Sequence, residues 1–177
     1  ENMMETNMGG GLPIAGFYEM KQDVYDTARY LRCSFDESNR LLAFCERHIP
    51  MLRTISADEE CIRWCRGVFE NDSIEGNDLL NTYLNRSFLK DAYDAGIIAP
   101  NYDELLKRGG IDRWVHRPTK SLLEPLDAKH VQACITWHFR RDHFVEGSLV
   151  SDSIANGYML LLLEMYAEKA RIAFQYD

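Results

Sequence analysis

The residues best suited to chemistry form one polar cluster at positions 138–146, which reads His-Phe-Arg-Arg-Asp-His-Phe-Val-Glu. Residues four apart lie on one face of a helix, so a helix here would bring His138 and Asp142 together. A histidine and two carboxylates can bind a divalent cation. Beside arginine, they could instead supply an acid, a base and a positive charge for an anionic intermediate. The candidate catalytic residues are therefore His138, Arg140, Asp142, His143 and Glu146.

The same cluster has a structural interpretation, which we favour. Its spacing does not match a metal motif such as His-Glu-x-x-His, and arginines in a last helical turn complement the helix dipole. Asp142 can accept amide hydrogen bonds from the turn that follows, and Gly147 allows the chain to reverse. We therefore predict no metal, no cofactor, and a corner built by six structural residues: Arg140, Asp142, Phe144, Gly147, Leu149 and Gly157.

A second polar stretch, residues 113–117, reads Arg-Trp-Val-His-Arg. Such a stretch can bind a phosphate or stack a base, but an aromatic anchor in the core, flanked by arginines that extend into solvent, is more common. The net charge of −8, from 20 basic and 28 acidic side chains, disfavours a large nucleic-acid interface. Nucleic-acid binding is therefore the weakest of three hypotheses, and it would use Arg113, Arg117, Arg140 and Arg141.

Apolar residues recur every three or four positions along most of the chain, and this spacing predicts an all-α fold. We expect a tail at residues 1–16 and a single helical domain at residues 17–177. The domain is an irregular multi-helix bundle with a three-helix block at residues 127–174. We see no pattern typical of a strand.

Local signals predict where several helices begin and end. Pro50 ends or bends an early helix, and Ser56 with Glu59 forms a capping box for the next one. Asp127 caps the helix that opens the C-terminal block. Gly96 is expected to end one helix, and Gly109 with Gly110 is expected to end the next. Trp114 is expected to anchor the irregular segment at residues 111–126 by burial.

The last predicted helix, residues 158–174, is apolar nearly all round at its start, because residues 160–163 are four consecutive leucines. A helix without a polar face lies either in the core or against a partner. We therefore predict a protein partner or self-association through four interface candidates: Tyr158, Leu161, Leu162 and Met165.

Composition restricts the class of protein further. The longest apolar run, residues 158–163, is six residues, whereas a membrane span needs about 20. The first residues lack the regions of a signal peptide. The five cysteines are odd in number and scattered, which is typical of buried, reduced thiols rather than of a disulfide scaffold. We therefore expect an acidic cytoplasmic protein.

The C-terminal block resembles a family of small, helical, bacterial and phage-associated proteins of unknown function. The resemblance rests on residues 140–144, 147–149 and 154–157, in a pattern Arg-x-Asp-x-Phe-x-x-Gly-x-Leu followed by Gly157. A weaker similarity lies in residues 88–102. Together the two similarities cover about half of the chain. The resemblance implies a helical fold, but it implies no activity.

Our leading hypothesis is a non-catalytic helical protein-interaction module of phage or mobile-element origin. The alternative is a small metal- or anion-dependent enzyme that uses residues 140–146, and the second alternative is a nucleic-acid-associated protein. The absence of a phosphate-binding glycine loop and of a nucleophile elbow favours the first hypothesis.

Overall fold

The structure, a computed structural model, describes residues 39–69, 82–142 and 149–175. The described part of the chain is helical and contains no strand, which confirms the all-α class. The predicted tail lies outside the described residues. The elements are α1 (39–56), α2 (Glu59–Phe69), a π-helical segment (Tyr83–Phe88), α3 (Leu89–Asp94), α4 (Tyr102–Arg108), a 3-10 turn (Ile111–Arg113), α5 (Lys120–Leu123), α6 (Ala128–Asp142), α7 (Leu149–Ala155) and α8 (Tyr158–Gln175).

Helix α8 lies at the centre of the packing, because it contacts α5, α6 and α7. Helix α4 packs on α6, and α2 packs on α7. Two exposed ion pairs join α1 to α8, one from Arg53 to Glu164 at 3.0 Å and one from Arg171 to Glu46 at 3.1 Å. No described helix has both the length and the apolar composition that crossing a membrane requires.

The predicted end of α3 at Gly96 is confirmed. Gly96 has a φ of +76°, a left-handed conformation that favours glycine. Its amide donates to the carbonyl of Tyr93, and the amide of Ile97 donates to the carbonyl of Ala92 at 3.0 Å. The side chain of Ile97 is fully buried. These paired bonds close the helix and start the link to α4.

Two further predicted boundaries are also confirmed. The carboxylate of Asp127 accepts a hydrogen bond from the amide of His130 at 2.9 Å, so Asp127 caps α6. Helix α4 begins after Asn101 and ends before Gly109, and Gly110 has a φ of +66°. Each of these boundaries depends on contacts within a few residues.

The capping box predicted at Ser56 is wrong. Helix α1 continues through Ser56, whose buried hydroxyl has no hydrogen-bond partner among the described residues. The cap of α2 is instead Asp58, whose carboxylate accepts from the amide of Cys61 at 3.0 Å. Burial of Ile55 holds the last turn of α1 helical, so Ser56 cannot adopt the extended conformation of a cap.

Pro50 does not end α1, which was one of the two outcomes that we expected there. The helix runs on to residue 56. Proline fits the helical φ, but it removes one backbone hydrogen bond and its ring crowds the carbonyl one turn earlier. The turns beyond it bury Leu52 and Ile55, and this burial offsets that loss.

Trp114 is only partly buried, so it is not the main anchor of the irregular segment before α6. The residues that hold this segment in the core are Ile111, Val115 and Leu123, each 1% exposed or less. The turn after the 3-10 segment directs Val115 inward, and Trp114 packs against the edge of the core.

A pair of alanine substitutions tests the helix junction. Asp58→Ala is expected to lower the free energy of unfolding by about 1 kcal/mol, because it removes a cap. Ser56→Ala is expected to leave it unchanged or raise it slightly, since the buried hydroxyl lacks a partner. Urea denaturation of both variants measures the difference. The reverse order would support the capping box at Ser56.

Candidate functional site

A cleft of about 530 Å³ opens where α6, α7 and α8 meet the turn after the 3-10 segment. Its size is within the range typical of small-molecule sites. The lining residues are His116, Arg117, Trp137, His138, Asp152, Asn156 and Tyr158. Aromatic, cationic and hydrogen-bonding side chains therefore meet in one concave site.

The tight turn between α7 and α8 shapes one wall of the cleft. Gly157 has a φ of +79°, so the chain reverses there with little strain. The side-chain amide of Asn156 donates to the carbonyl oxygen and to Oδ1 of Asp152, each at 3.1 Å. These bonds hold the two polar side chains in place, and Tyr158 follows at the start of α8.

His138 is a buried, neutral member of the cleft. Its Nε2 lies 3.1 Å from the carbonyl oxygen of Val115, and a carbonyl can only accept, so Nε2 carries the proton. Burial lowers the pKa of His138 to about 4, and it outweighs the hydrogen bond to the carbonyl of Val115, which acts in the opposite direction. Its ring also meets Trp137 edge to face at 4.9 Å. His138 thus joins α6 to the preceding turn and is a weak base at neutral pH.

Two arginines supply positive charge at the cleft. Arg117 lines the cleft, and its guanidinium forms no ion pair within the described part of the chain. The guanidinium of Arg141 lies 5.8 Å from the ring centroid of Trp137. The one carboxylate in the lining, Asp152, is already bonded to Asn156. The lining therefore carries one guanidinium and one carboxylate, and Arg141 beside Trp137 adds a second positive charge near the cleft.

Among the candidate catalytic residues whose side chains the structure describes, His138 lines the cleft and Arg140 does not. Arg140 is exposed, and Asp142 is the last residue of α6. His143, Phe144, Glu146 and Gly147 lie outside the described residues, as do the side chains of Asp142 and Leu149. Among the described residues, no three His, Cys, Asp or Glu side chains are grouped closely enough to hold a metal ion.

The interface candidates on α8 have different environments. Leu162 is fully buried and Met165 is 4% exposed within this chain. Leu161 is partly buried, and Tyr158 lines the cleft. The core accounts for most of the apolar surface that suggested a partner, because neighbouring helices surround α8.

A second polar site, which the sequence patterns do not predict, connects α1 to the segment at residues 83–94. The hydroxyl of Tyr83 lies 2.7 Å from Nδ1 of His48, and Nε2 of His48 lies 2.8 Å from the carboxylate of Asp91. Arg47 also contacts this carboxylate, at 3.0 Å. These residues are 35 to 44 positions apart, so no local spacing relates them.

The electrostatics of this second site are consistent with an ordered hydrogen-bond chain. Hydrogen bonds from His48 and then Arg47 lower the pKa of Asp91, so its carboxylate is ionised. Burial raises the pKa of Tyr83, and the nearby Asp91 carboxylate adds to this effect. Tyr83 therefore keeps its proton at neutral pH.

The described cysteines are free thiols. Burial raises the pKa of Cys45 and Cys134 to about 12 and that of Cys65 to about 11. Cys61 is partly exposed. The three buried thiols stay protonated and unreactive at neutral pH, which agrees with the predicted structural role of the cysteines.

The fold and the cleft define an all-α protein with a concave polar site beside its central helix. The chain belongs to the DUF6508 family, a family of unknown function, which matches residues 45–171. The match confirms that the chain belongs to a family of unknown function, and it covers residues farther toward the N-terminus than the resemblance did. Both polar sites lie within the matched residues. No curated protein and no solved structure matches the chain.

Proposed function

We propose that the protein is a helical binding module whose cleft takes a small molecule that carries a phosphate or carboxylate group on a planar ring. The observation that carries the proposal is the guanidinium of Arg117, which has no ionic partner in the described part of a cleft that Trp137 and Tyr158 also line. Arginine binds phosphates and carboxylates through paired hydrogen bonds. The aromatic rings offer flat apolar surface to the rest of the ligand.

The distribution of charge on the protein also favours one class of ligand over another. The chain carries a net charge of −8, so most of its surface repels anions. The cleft has Arg117 in its lining and Arg141 beside Trp137, against a single lining carboxylate, Asp152. This contrast favours a small anion over a long nucleic acid, which would need a much broader basic surface.

Binding without catalysis fits the chemistry of the cleft. A general base works best when its pKa is close to the working pH, whereas the pKa of His138 is about 4. Its Nε2 is also committed to the carbonyl of Val115. The chemistry of the cleft therefore supports binding at this site better than it supports catalysis there.

A protein partner has less support than a small ligand. The apolar residues that suggested one, Leu162 and Met165, are in the core. Among the residues that the structure describes, the exposed large apolar side chains come from four different parts of the chain: Met51, Tyr93, Leu122 and Ile172. Scattered apolar residues of this kind are normal on a monomer. The phage or mobile-element origin stays a prediction from the resemblance.

Thermal denaturation with inorganic phosphate, a nucleoside monophosphate or an aromatic carboxylate tests the proposal. We expect at least one ring-bearing anion to raise the Tm saturably. Arg117→Gln should weaken that binding about tenfold or more, because a charged hydrogen bond is lost. Arg113→Gln is the matched control, since Arg113 is exposed and outside the lining. No saturable shift with any probe, or equal losses in both variants, would contradict the proposal.

A further inference from the structure

The chain from Tyr83 through His48 to Asp91 is arranged for proton transfer. A carboxylate only accepts hydrogen bonds, so Nε2 of His48 donates to Asp91 across 2.8 Å. The other ring nitrogen of the neutral imidazole, Nδ1, is then an acceptor. The hydroxyl of Tyr83 donates to it across 2.7 Å. A hydroxyl, a base and a group that orients the base thus follow one another in order.

The surrounding structure holds this geometry firmly. The side chain of His48 is only 6% exposed, and its ring packs against Phe44 at 4.7 Å and Phe88 at 5.4 Å. The carboxylate of Asp91 is fixed from its other side by Arg47. The imidazole therefore has one orientation and one tautomer, as a general base in a triad requires.

The side chains at both ends of this hydrogen-bond chain, Asp91 and Tyr83, are partly exposed, whereas His48 between them is buried. Asp91 is held by Arg47, and the hydroxyl end is Tyr83. It is also the first residue of the π-helical segment Tyr83–Phe88. Segments of this type are uncommon and are frequent at functional sites, because the wider turn changes the direction of the side chains.

We propose that Tyr83 is a nucleophile, that His48 is its general base and that Asp91 positions His48, in a site that acts on activated carboxylic esters. The phenol oxygen attacks the ester carbonyl carbon while its proton moves to Nδ1 of His48. The bond to the leaving alcohol then breaks, and that alcohol takes the proton from Nδ1. Water hydrolyses the acyl–tyrosine ester in the same two steps and regenerates Tyr83.

A protonated tyrosine is compatible with this role. In a Ser-His-Asp triad the serine hydroxyl is also neutral at rest, and it transfers its proton to histidine only as it attacks. Phenolate is a good leaving group, so an acyl–tyrosine ester is reactive toward water. Activated esters are the matching substrate class, because their leaving groups are at least as good as phenolate. The site shares no residue with the cleft, so this proposal stands or fails independently of the proposed ligand.

The test is the reaction of the full chain with p-nitrophenyl acetate, with peptide mapping to locate the acetyl group. We expect p-nitrophenolate release and acetylation at Tyr83. Tyr83→Phe, His48→Gln and Asp91→Asn should each slow the release about a hundredfold, which is the lower end of general-base effects. Tyr102→Phe is the matched control and should react like the natural chain.

Two further readouts separate catalysis from a structural role. In the natural chain the rate should depend on pH, since a general base must accept a proton to act, and Tyr83→Phe should abolish this pH dependence. Circular dichroism identifies variants that fail to fold. Tyr83→Phe removes the hydroxyl but keeps the packed aromatic ring, so this variant still provides the test if His48→Gln does not fold. Release that is equal in folded Tyr83→Phe, or an acetyl group found only on other residues, would overturn the proposal.

Discussion

Leu162→Ala lowers the free energy of unfolding by about 2–5 kcal/mol, the range measured for leucine truncation in well-packed cores. Leu162 is fully buried on α8, the helix that contacts α5, α6 and α7. Truncation removes apolar contacts and leaves a cavity between helices that cannot easily collapse. Folded domains are stable by only about 5–15 kcal/mol, so the variant should unfold at a clearly lower urea concentration.

Leu161→Ala is the matched control, because it makes the same chemical change one position earlier on the same helix. Leu161 is partly exposed, so we expect a smaller loss, about 1 kcal/mol or less. Urea denaturation and light scattering of both variants complete the test. A larger loss for Leu161→Ala, together with a change in oligomeric mass, would show that α8 forms an interface.

Acidification from about pH 6.5 to pH 4 removes about 3 kcal/mol of stability through His138 alone. Its folded-state pKa is about 4, below the ordinary value of 6.5. The unfolded chain therefore binds the proton first as the pH falls, and the free energy of unfolding decreases through this window. The cause is the burial of the His138 side chain, because burial disfavours the charged imidazolium relative to the neutral ring.

His138→Gln isolates this effect from the other titrating groups. Glutamine can donate to the carbonyl of Val115 but does not titrate. Above pH 6.5 the natural chain should be the more stable of the two, and the difference should shrink as the pH falls toward 4. Urea denaturation at several pH values measures it. A difference that stays constant across this range would show that His138 is not buried in its neutral form.

Local sequence signals predicted the helical class and several helix boundaries. Asp127 and Gly96 act on backbone groups three to five residues away, so a short window of sequence contains the whole interaction. The junction at residues 56–58 shows where this approach fails. Ser56 and Asp58 are both good caps, and only the burial of Ile55 decides between them.

The cleft was predictable only in part. Residues 113–117 were recognised as a basic and aromatic stretch, and His138 as a candidate for chemistry. Their meeting with Asp152 and Tyr158 depends on how α6, α7 and α8 pack. The spacing of residues within a single helix cannot predict how these helices pack, because the packing depends on the shapes of several buried surfaces at once.

The sequence by itself determined that the protein is helical, that a leucine-rich helix lies either in the core or against a partner, and where several helices begin and end. Only the tertiary structure decided that Leu162 faces the core, that Arg117 lines a cleft, and that His48 bridges Tyr83 and Asp91 across 35 and 43 positions. The physical reason is range. Caps and helix periods act over one or two turns, whereas a site assembled from separate helices exists only after the core has packed.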